Sequence, residues 1–223
     1  MERKIKAYIF DLDGTIAYTL KDLTTAMNQM LDDLGFKRMT EQDILNNVNC
    51  GAKQFVAKCL PKSEQECEET IDLAYSKYRE HYNKCYLDTT VPYPNVAEGI
   101  KYLRESGLKL AVFSNKSIEQ TVPIAENLFP EGTFDIIMGH DGRFAHKPDP
   151  AGALYIADFL GLPPELIGFV GDSDVDMHTA ENAGMHPFGV SWGYRSPELL
   201  KSLGAEKILY TLDDIKSLSD YSV

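Results

Sequence analysis

The sequence has no long apolar run and comparatively little positive charge. None of its apolar stretches approaches the roughly 18 residues that a membrane-spanning helix requires. The apolar segment near the N-terminus ends at Asp11, too soon for the apolar core of a signal peptide. Lys and Arg number 22 against 34 Asp and Glu, and the net charge of −12 argues against a general nucleic-acid or anionic-membrane surface. We therefore expect a soluble, cytoplasmic protein with no nucleic-acid and no membrane partner.

Cysteine is also scarce. The four cysteines show no Cys-x-x-Cys spacing and lie within one predicted helical region, as Cys50, Cys59, Cys67 and Cys85. This spacing argues against a structural zinc site. What the chain does contain is 43% apolar residues over 223 positions, which is enough for one large domain or for a core domain that carries an insert.

The apolar pattern changes twice along the chain. Residues 5–10 form a β-branched and aromatic run that ends at a turn-forming segment. From about residue 20 to 90 the apolar residues recur at helical spacing, without a convincing strand. After that, helices alternate with strands predicted at 108–113, 134–138, 166–170, 187–190 and about 207–210. Such alternation is typical of parallel β-α-β units.

This pattern predicts an α/β core in two sequence pieces, residues 1–17 and 90–223, and an all-helical insert in residues 18–89. Ligands of open α/β sheets bind at the carboxyl ends of the strands, where this insert emerges. We therefore expect the insert to be a lid. Within it, two helix starts of the capping-box type are predicted, by Thr40 with Asp43 and by Ser63 with Glu66.

Short polar loops follow four of the predicted strands. They are Asp11-Leu12-Asp13-Gly14-Thr15, Ser114-Asn115-Lys116, His146-Lys147-Pro148-Asp149 and Gly171-Asp172-Ser173-Asp174-Val175-Asp176. Each loop alone is also explained by turn formation or by helix capping. Their combination, always directly after an apolar strand, instead indicates one functional site at the strand ends.

The residue types in these loops fit phosphoryl transfer from a monoester, which depends on positioning and on stabilising negative charge. A carboxylate nucleophile, Asp11, would form an aspartyl-phosphate. Because two anions repel, the site needs cations, and a hard divalent ion such as Mg²⁺ meets that need. Asp13 is predicted to protonate the leaving oxygen and then to activate water.

Other residues of the loops are candidate partners of the phosphoryl group and the metal. Lys147 supplies a fixed positive charge, and Asp172 supplies a further carboxylate. The Ser114 hydroxyl can donate to a phosphoryl oxygen, and Thr15 and Asn115 are further substrate-binding candidates. In the insert, the segment 49–53 ends in a lysine, Lys53, which can meet a second anionic group; a solvated helix face is an equally good explanation for that lysine.

With these four motifs the chain resembles the haloacid dehalogenase superfamily of phosphatases. The resemblance implies a Rossmann-like parallel-sheet core with an inserted all-helical cap domain. It further implies Mg²⁺ on the Asp11 side chain, the Asp13 backbone carbonyl and Asp172. Catalysis would use Asp11, Asp13 and Lys147, with Asp176 and Ser173 in supporting positions.

Within the superfamily the chain looks most like phosphoglycolate phosphatases and the related pyrophosphatases. This narrower resemblance rests on four segments, Asp22-Leu23, Val48-Asn49-Cys50-Gly51-Ala52, Tyr93-Pro94-Asn95-Val96 and Ser191-Trp192-Gly193-Tyr194. The segment Ile16-Ala17-Tyr18-Thr19 departs from the Val-Asp-Ser that such enzymes commonly carry after the first motif. The expected partner is a small phosphorylated metabolite, bound by a monomer or a homodimer.

The same motifs also allow other functions. A pyrophosphatase or a sugar-phosphate mutase of the same superfamily would use the same aspartyl-phosphate. Non-enzymatic alternatives are a phospho-receiver, which keeps the phosphoaspartate as a signal, and a phosphatase scaffold that has lost catalysis. Receivers are shorter and lack a helical insert, and loss of catalysis usually removes a motif carboxylate, whereas all of them are present here.

Overall fold

The computed structural model describes residues 4–48 and 51–222. The chain divides into two compact units, Met1–Ala17 with Pro92–Val223, called here the sheet unit, and Tyr18–Val91, called the helical unit. The second boundary lies two residues later than the sequence pattern placed it. The roles of these units as catalytic core and lid stay predictions.

Eight strands occur in the described residues: β1 (Ala7–Phe10), β2 (Ala17–Tyr18), β3 (Val91–Pro92), β4 (Lys109–Ser117), β5 (Ile136–His140), β6 (Ile167–Gly171), β7 (His186–Val190) and β8 (Lys207–Leu209). Six of them form one sheet in the order β5-β4-β1-β6-β7-β8, and all its pairings are parallel. The two short strands β2 and β3 pair with each other where the chain passes between the units. The predicted α/β fold with a parallel, Rossmann-like sheet and a helical insert is confirmed.

The described helices are α1 (Leu20–Asp33), α2 (Glu41–Leu45), α3 (Ala52–Cys59), α4 (Glu68–Cys85), α5 (Val96–Glu105), α6 (Ile118–Leu128), α7 (Ala151–Leu160), α8 (Asp174–Ala183), α9 (Pro197–Ser202) and α10 (Leu212–Lys216). Two 3₁₀ helices, Pro164–Leu166 and Ser217–Asp220, complete the sheet unit. None of the helices within 4–48 and 51–222 combines the length and the apolar character needed to cross a membrane.

Strand β1 is central in the sheet, and its position explains why the polar loops converge. All four of its residues are buried, as expected for a strand of a parallel sheet that is covered on both faces. Its last residue, Phe10, is in register with Val112 of β4 and Val170 of β6. The loops that follow these three neighbouring strands therefore leave the sheet side by side, while apolar residues of β1, β4, β6, α7 and α8 form the core behind them.

In the helical unit one predicted helix start is confirmed and one is wrong. Thr40 caps α2 in a reciprocal capping box with Asp43. Ser63 caps no helix, because residues around it form turns in which Glu64 N–H donates to the Pro61 carbonyl. The helix α4 begins only at Glu68. Glu68 and Glu69 occupy its first turn, where their negative charges interact favourably with the positive end of the helix dipole.

A buried carboxylate ties the two ends of the helical unit together. Asp22, in the first turn of α1, is only 2% exposed. It accepts hydrogen bonds from the Thr89 N–H at 3.1 Å, the Thr89 hydroxyl at 2.6 Å and the Thr90 hydroxyl at 2.9 Å. Both carboxylate oxygens are satisfied, so this anion can stay buried at the exit of the unit.

Candidate active site

Asp11 is the first residue after β1 and lies at the centre of the site. Its N–H continues the sheet by donating to the Val170 carbonyl at 2.9 Å, which fixes its backbone. The residue is 5% exposed. Burial raises the pKa of Asp11 to about 7, although Lys147 lowers it, and the nearby Asp176 carboxylate adds to the rise. An ionised Asp11 therefore depends on positive charge beside it.

Lys147 supplies part of that positive charge from the neighbouring loop. Its ammonium lies 2.9 Å from Asp11 Oδ1 and 2.7 Å from Asp176 Oδ1, and its side chain is 2% exposed. Burial alone would lower the pKa of Lys147, but the Asp11 and Asp176 carboxylates raise it above its ordinary value. The lysine is thus held charged between the two acids. The rings of Phe113 and Phe169 also face its ammonium, at 5.7 and 5.5 Å from their centroids.

Asn115 fixes the backbone of Lys147 from the adjacent strand. Its Oδ1 accepts from the Lys147 N–H at 2.7 Å, and its Nδ2 donates to the Lys147 carbonyl at 3.1 Å. Both ends of this side chain are therefore used in positioning the lysine. Ser114, 3% exposed, accepts the Lys116 N–H at 3.2 Å. Direct contact of Ser114 or Asn115 with a substrate stays a prediction.

Asp172 follows β6 and is held by the first loop and by the loop after β7. Its Oδ1 accepts from the Thr15 hydroxyl at 3.1 Å, and its Oδ2 accepts from the Tyr194 N–H at 2.7 Å. A Cβ at Gly14 would lie 2.5 Å from Asp172 Oδ2, and one at Gly193 would lie 2.1 Å from Asp172 Cβ. Both positions therefore have to be glycine for the carboxylate to fit.

Asp176 anchors the start of α8. Ser173 is the N-cap, and its hydroxyl and the Asp176 side chain form a capping box. Asp176 Oδ2 accepts from Asp172 N–H, Ser173 N–H and the Ser173 hydroxyl, at 3.2, 3.1 and 2.6 Å. Its other oxygen binds Lys147. This agrees with supporting roles for Asp176 and Ser173, which stay predictions as far as catalysis is concerned.

The three acids form a cluster that fits a hard metal ion. One oxygen from each of Asp11, Asp172 and Asp176 lies within 4.8 Å of the others, and all three residues are buried. Burial raises the pKa of Asp172 well above its ordinary value, and the Asp176 and Asp11 carboxylates reinforce the rise. Asp11 Oδ1 has the Lys147 ammonium 2.9 Å away as its charged neighbour, and the described residues provide no other donor to it. The mutual repulsion of the buried carboxylates is what a divalent cation with oxygen ligands would relieve.

Asp13 lies outside this cluster of side chains. Its Oδ2 pairs with Lys116 Nζ at 2.9 Å, and its side chain is 16% exposed. The Asp13 carboxylate is thus more exposed than the buried carboxylates of Asp11, Asp172 and Asp176. The predicted metal ligand at this position is the backbone carbonyl rather than the side chain, and that assignment stays a prediction.

Lys53 is placed at the surface of the helical unit. Its ammonium pairs with Asp72 at 2.6 Å and with Glu68 at 3.2 Å, and its side chain is 48% exposed. Substrate binding by Lys53 stays a prediction. Asn49 and Cys50, which belong to the same segment 49–53, lie outside the described residues.

Sequence reasoning did not assign a role to Lys116 or to the residues that follow β7. Trp192 Nε1–H donates to the Thr15 carbonyl at 3.0 Å, and Tyr194 N–H binds Asp172, so the segment 191–194 closes one side of the site. The available signal for this additional loop was Gly193, which follows shortly after the strand predicted at 187–190. For Lys116 the signal was its position directly after two motif residues.

Comparison with known proteins points in the same direction as the geometry. A family model described as haloacid dehalogenase-like hydrolase matches residues 8–190. A phosphoglycolate phosphatase of Psychrobacter arcticus is 34% identical over 218 residues, covering 96% of this chain and 94% of that protein. One from Nitrosospira multiformis is 33% identical, with 96% and 95% covered.

Solved structures agree with the sequence relatives. The crystal structure of a predicted phosphoglycolate phosphatase from Haemophilus somnus matches with a TM-score of 0.89 at 26% identity, covering 98% of this chain and 99% of that one. Both units of the present chain are therefore included in the similarity.

Proposed function

Because the chain belongs to the haloacid dehalogenase-like hydrolase family, we propose that it is a Mg²⁺-dependent phosphatase of small phosphate monoesters and that 2-phosphoglycolate is its substrate. The substrate is suggested by the names of relatives that match almost the full chain. The partner is accordingly a small phosphorylated metabolite rather than a macromolecule.

One observation carries the proposal. A buried carboxylate directly after the central strand, Asp11, is paired with a buried lysine, Lys147, inside a cluster of further carboxylates. A cluster of this composition is costly for stability, because like charges are desolvated together. It is well suited to a reaction in which an anionic oxygen must approach an anionic ester.

Asp11, Lys147 and Asp13 have different roles in the proposed reaction. Asp11 attacks phosphorus and forms an aspartyl-phosphate, while Lys147 balances the charge that develops on the phosphoryl oxygens. Asp13 first donates a proton to the leaving oxygen and then takes one from the water that hydrolyses the aspartyl-phosphate. Asp176, Ser173 and Asn115 keep Lys147 and Asp172 in place.

Asp11, Asp172 and the Asp13 carbonyl would hold the metal. When bound, Mg²⁺ neutralises the nucleophilic carboxylate and the phosphoryl oxygens so that they can approach each other. The fixed hydrogen bonds from Thr15 and Tyr194 to Asp172 orient that ligand before any metal binds.

The test is release of inorganic phosphate from 2-phosphoglycolate, among a panel of phosphorylated metabolites, with MgCl₂ and with EDTA. We expect Asp11→Asn to abolish turnover, because the amide cannot form the aspartyl-phosphate. Asp158→Asn, at an exposed site on α7, is the matched control and should keep wild-type activity. Near-full activity of Asp11→Asn would show that the covalent mechanism is wrong, and inactivity of the wild type on the whole panel would overturn the proposed function.

A further inference from the structure

Lys116 is a second, separately held cation of the site. It lies in β4 directly after Ser114 and Asn115, and its side chain is only 7% exposed. Its N–H donates to the Ser114 hydroxyl, and its carbonyl accepts from the Thr121 hydroxyl, both at 3.2 Å. Hydrogen bonds therefore fix the Lys116 backbone through both its N–H and its carbonyl group. The Lys116 ammonium lies 2.9 Å from Asp13 Oδ2.

The two lysines of the site have different partners. Lys147 pairs with Asp11 and Asp176 deep in the cluster, so its charge is directed at the phosphoryl group. Lys116 pairs with Asp13, which is more exposed. In an in-line displacement the attacking and leaving oxygens are on opposite sides of phosphorus. If Asp11 attacks and Asp13 protonates the leaving oxygen, Lys116 is on the leaving-group side.

Distances allow this lysine to contact the leaving group. A general acid works at about 2.6–3.2 Å from the oxygen that it protonates. With the ammonium 2.9 Å from Asp13 Oδ2, a carboxylate on the carbon next to the ester oxygen is within reach. Only two bonds of about 1.5 Å separate that carboxylate carbon from the ester oxygen.

We propose that Lys116 selects substrates whose leaving group carries a carboxylate next to the ester oxygen, by forming a charge-assisted hydrogen bond with that carboxylate. This inference rests on the proposed function, because it takes Asp13 as the acid on the leaving-group side. The sheet unit itself would then take part in the choice of substrate, through Lys116.

Charge supports this assignment. In the described part of the site, four carboxylates, from Asp11, Asp13, Asp172 and Asp176, face two ammonium groups, from Lys116 and Lys147. An additional carboxylate on the substrate would be repelled by Asp13 unless a cation stood beside it. Lys116 is that cation, and its low exposure strengthens the interaction relative to a surface pair.

The experiment compares two esters that differ in one group, 2-phosphoglycolate and the phosphate ester of glycolamide, whose neutral amide replaces the carboxylate. We expect wild-type kcat/KM to favour the carboxylate by on the order of 10- to 100-fold, the range for a hydrogen bond to a charged group. Lys116→Met should bring the ratio of the two kcat/KM values close to one, and Lys116→Arg should restore much of the preference. Lys101→Met, whose lysine is 73% exposed on α5, is the control and should leave the ratio unchanged.

The outcomes separate this inference from the proposed function. If Lys116→Met slows both esters equally, Lys116 only positions Asp13, and the inference is overturned while the phosphatase assignment stands. The inference also fails, without any variant, if the wild type hydrolyses the amide as well as the acid. If the wild type hydrolyses neither ester nor any other phosphate monoester, the proposed function itself fails.

Discussion

Gly193 shows how little space the site leaves for a single side chain. A Cβ at this position would lie 2.1 Å from Asp172 Cβ and 2.7 Å from the Gly14 carbonyl oxygen, and neither neighbour can move without disturbing the site. We expect Gly193→Ala to lower kcat/KM by about 100-fold, because a displacement of about 1 Å at a positioned group has effects of this size. Steady-state kinetics on 2-phosphoglycolate measures it.

Gly107→Ala is the contrasting variant. A Cβ there meets nothing within 4 Å, but the backbone has a φ of +84°, so the cost is conformational only. We expect a loss of about 1 kcal/mol in the free energy of unfolding with unchanged kcat/KM. Wild-type activity of Gly193→Ala would contradict the close packing around Asp172.

Single residues were predictable from sequence where they follow a strand. Asp11 and Asp172 come directly after the apolar strands β1 and β6, Lys147 lies further along the loop after β5, and the structure brings all three together. The pairing of Lys116 with Asp13 was not predictable, because it depends on the direction of a long side chain. The use of Asn115 to hold Lys147 was also missed, since an amide can bind either substrate or backbone.

At the scale of elements, Tyr8 connects β1 to the last 3₁₀ helix. It is fully buried, and its hydroxyl donates to the Leu218 carbonyl at 2.8 Å. Burial raises the pKa of Tyr8 far above its ordinary value, and the Tyr221 and Glu206 charges reinforce the rise. The folded protein therefore keeps the Tyr8 proton at a pH at which the unfolded chain releases it.

This linkage predicts a pH-dependent effect of Tyr8→Phe. At pH 7 the variant should lose about 1 kcal/mol in the free energy of unfolding, from the missing hydrogen bond. A raised folded pKa gives stability that is complete below the unfolded value of about 10 and is lost above it, by up to about 1.4 kcal/mol per pH unit. Only the wild type has the stability that is linked to the Tyr8 proton. The difference in the free energy of unfolding between wild type and Tyr8→Phe should therefore shrink between pH 10 and 11.5.

Urea unfolding at several pH values measures the difference. Tyr210→Phe, at a residue that is 51% exposed, is the matched control and should follow wild type throughout. An advantage of wild type over Tyr8→Phe that stays constant up to pH 11.5 would contradict the linkage.

Elements were predicted to within a few residues wherever the apolar period was clear. The helix predicted at 174–183 coincides with α8, because a capping box starts it and Gly184 ends it. Strand β4 continues to Ser117, beyond the predicted end at 113, because Ser117 pairs with His140 of β5 after an irregularity in register that follows Phe113. The start predicted at Ser63 failed because a Ser-x-x-Glu pattern is also compatible with consecutive turns.

At the scale of the whole molecule, the acid cluster predicts that stability depends on a bound divalent cation. Three buried carboxylates repel one another, and a cation that binds only the folded state stabilises it by mass action. At a Mg²⁺ concentration 100 times Kd the gain is about 2.7 kcal/mol. For a chain of this size we expect a rise in Tm of about 5–10 °C relative to EDTA.

Thermal unfolding with MgCl₂ and with EDTA tests this without any substrate. Asp172→Asn should abolish the Mg²⁺-dependent rise, whereas Asp158→Asn should retain it. Identical melting of the wild type in both conditions would count against the metal site.

The adjacent strands β2 and β3 have a consequence for how such a protein can change. The chain departs at Ala17–Tyr18 and returns at Val91–Pro92 through segments that pair with each other, so the excursion begins and ends at neighbouring points. A transplanted segment of different length and sequence would impose no new spacing on β1 or β4. Recombination or chimera design can therefore exchange the whole helical unit for another segment without changing the spacing of the strands in the sheet unit.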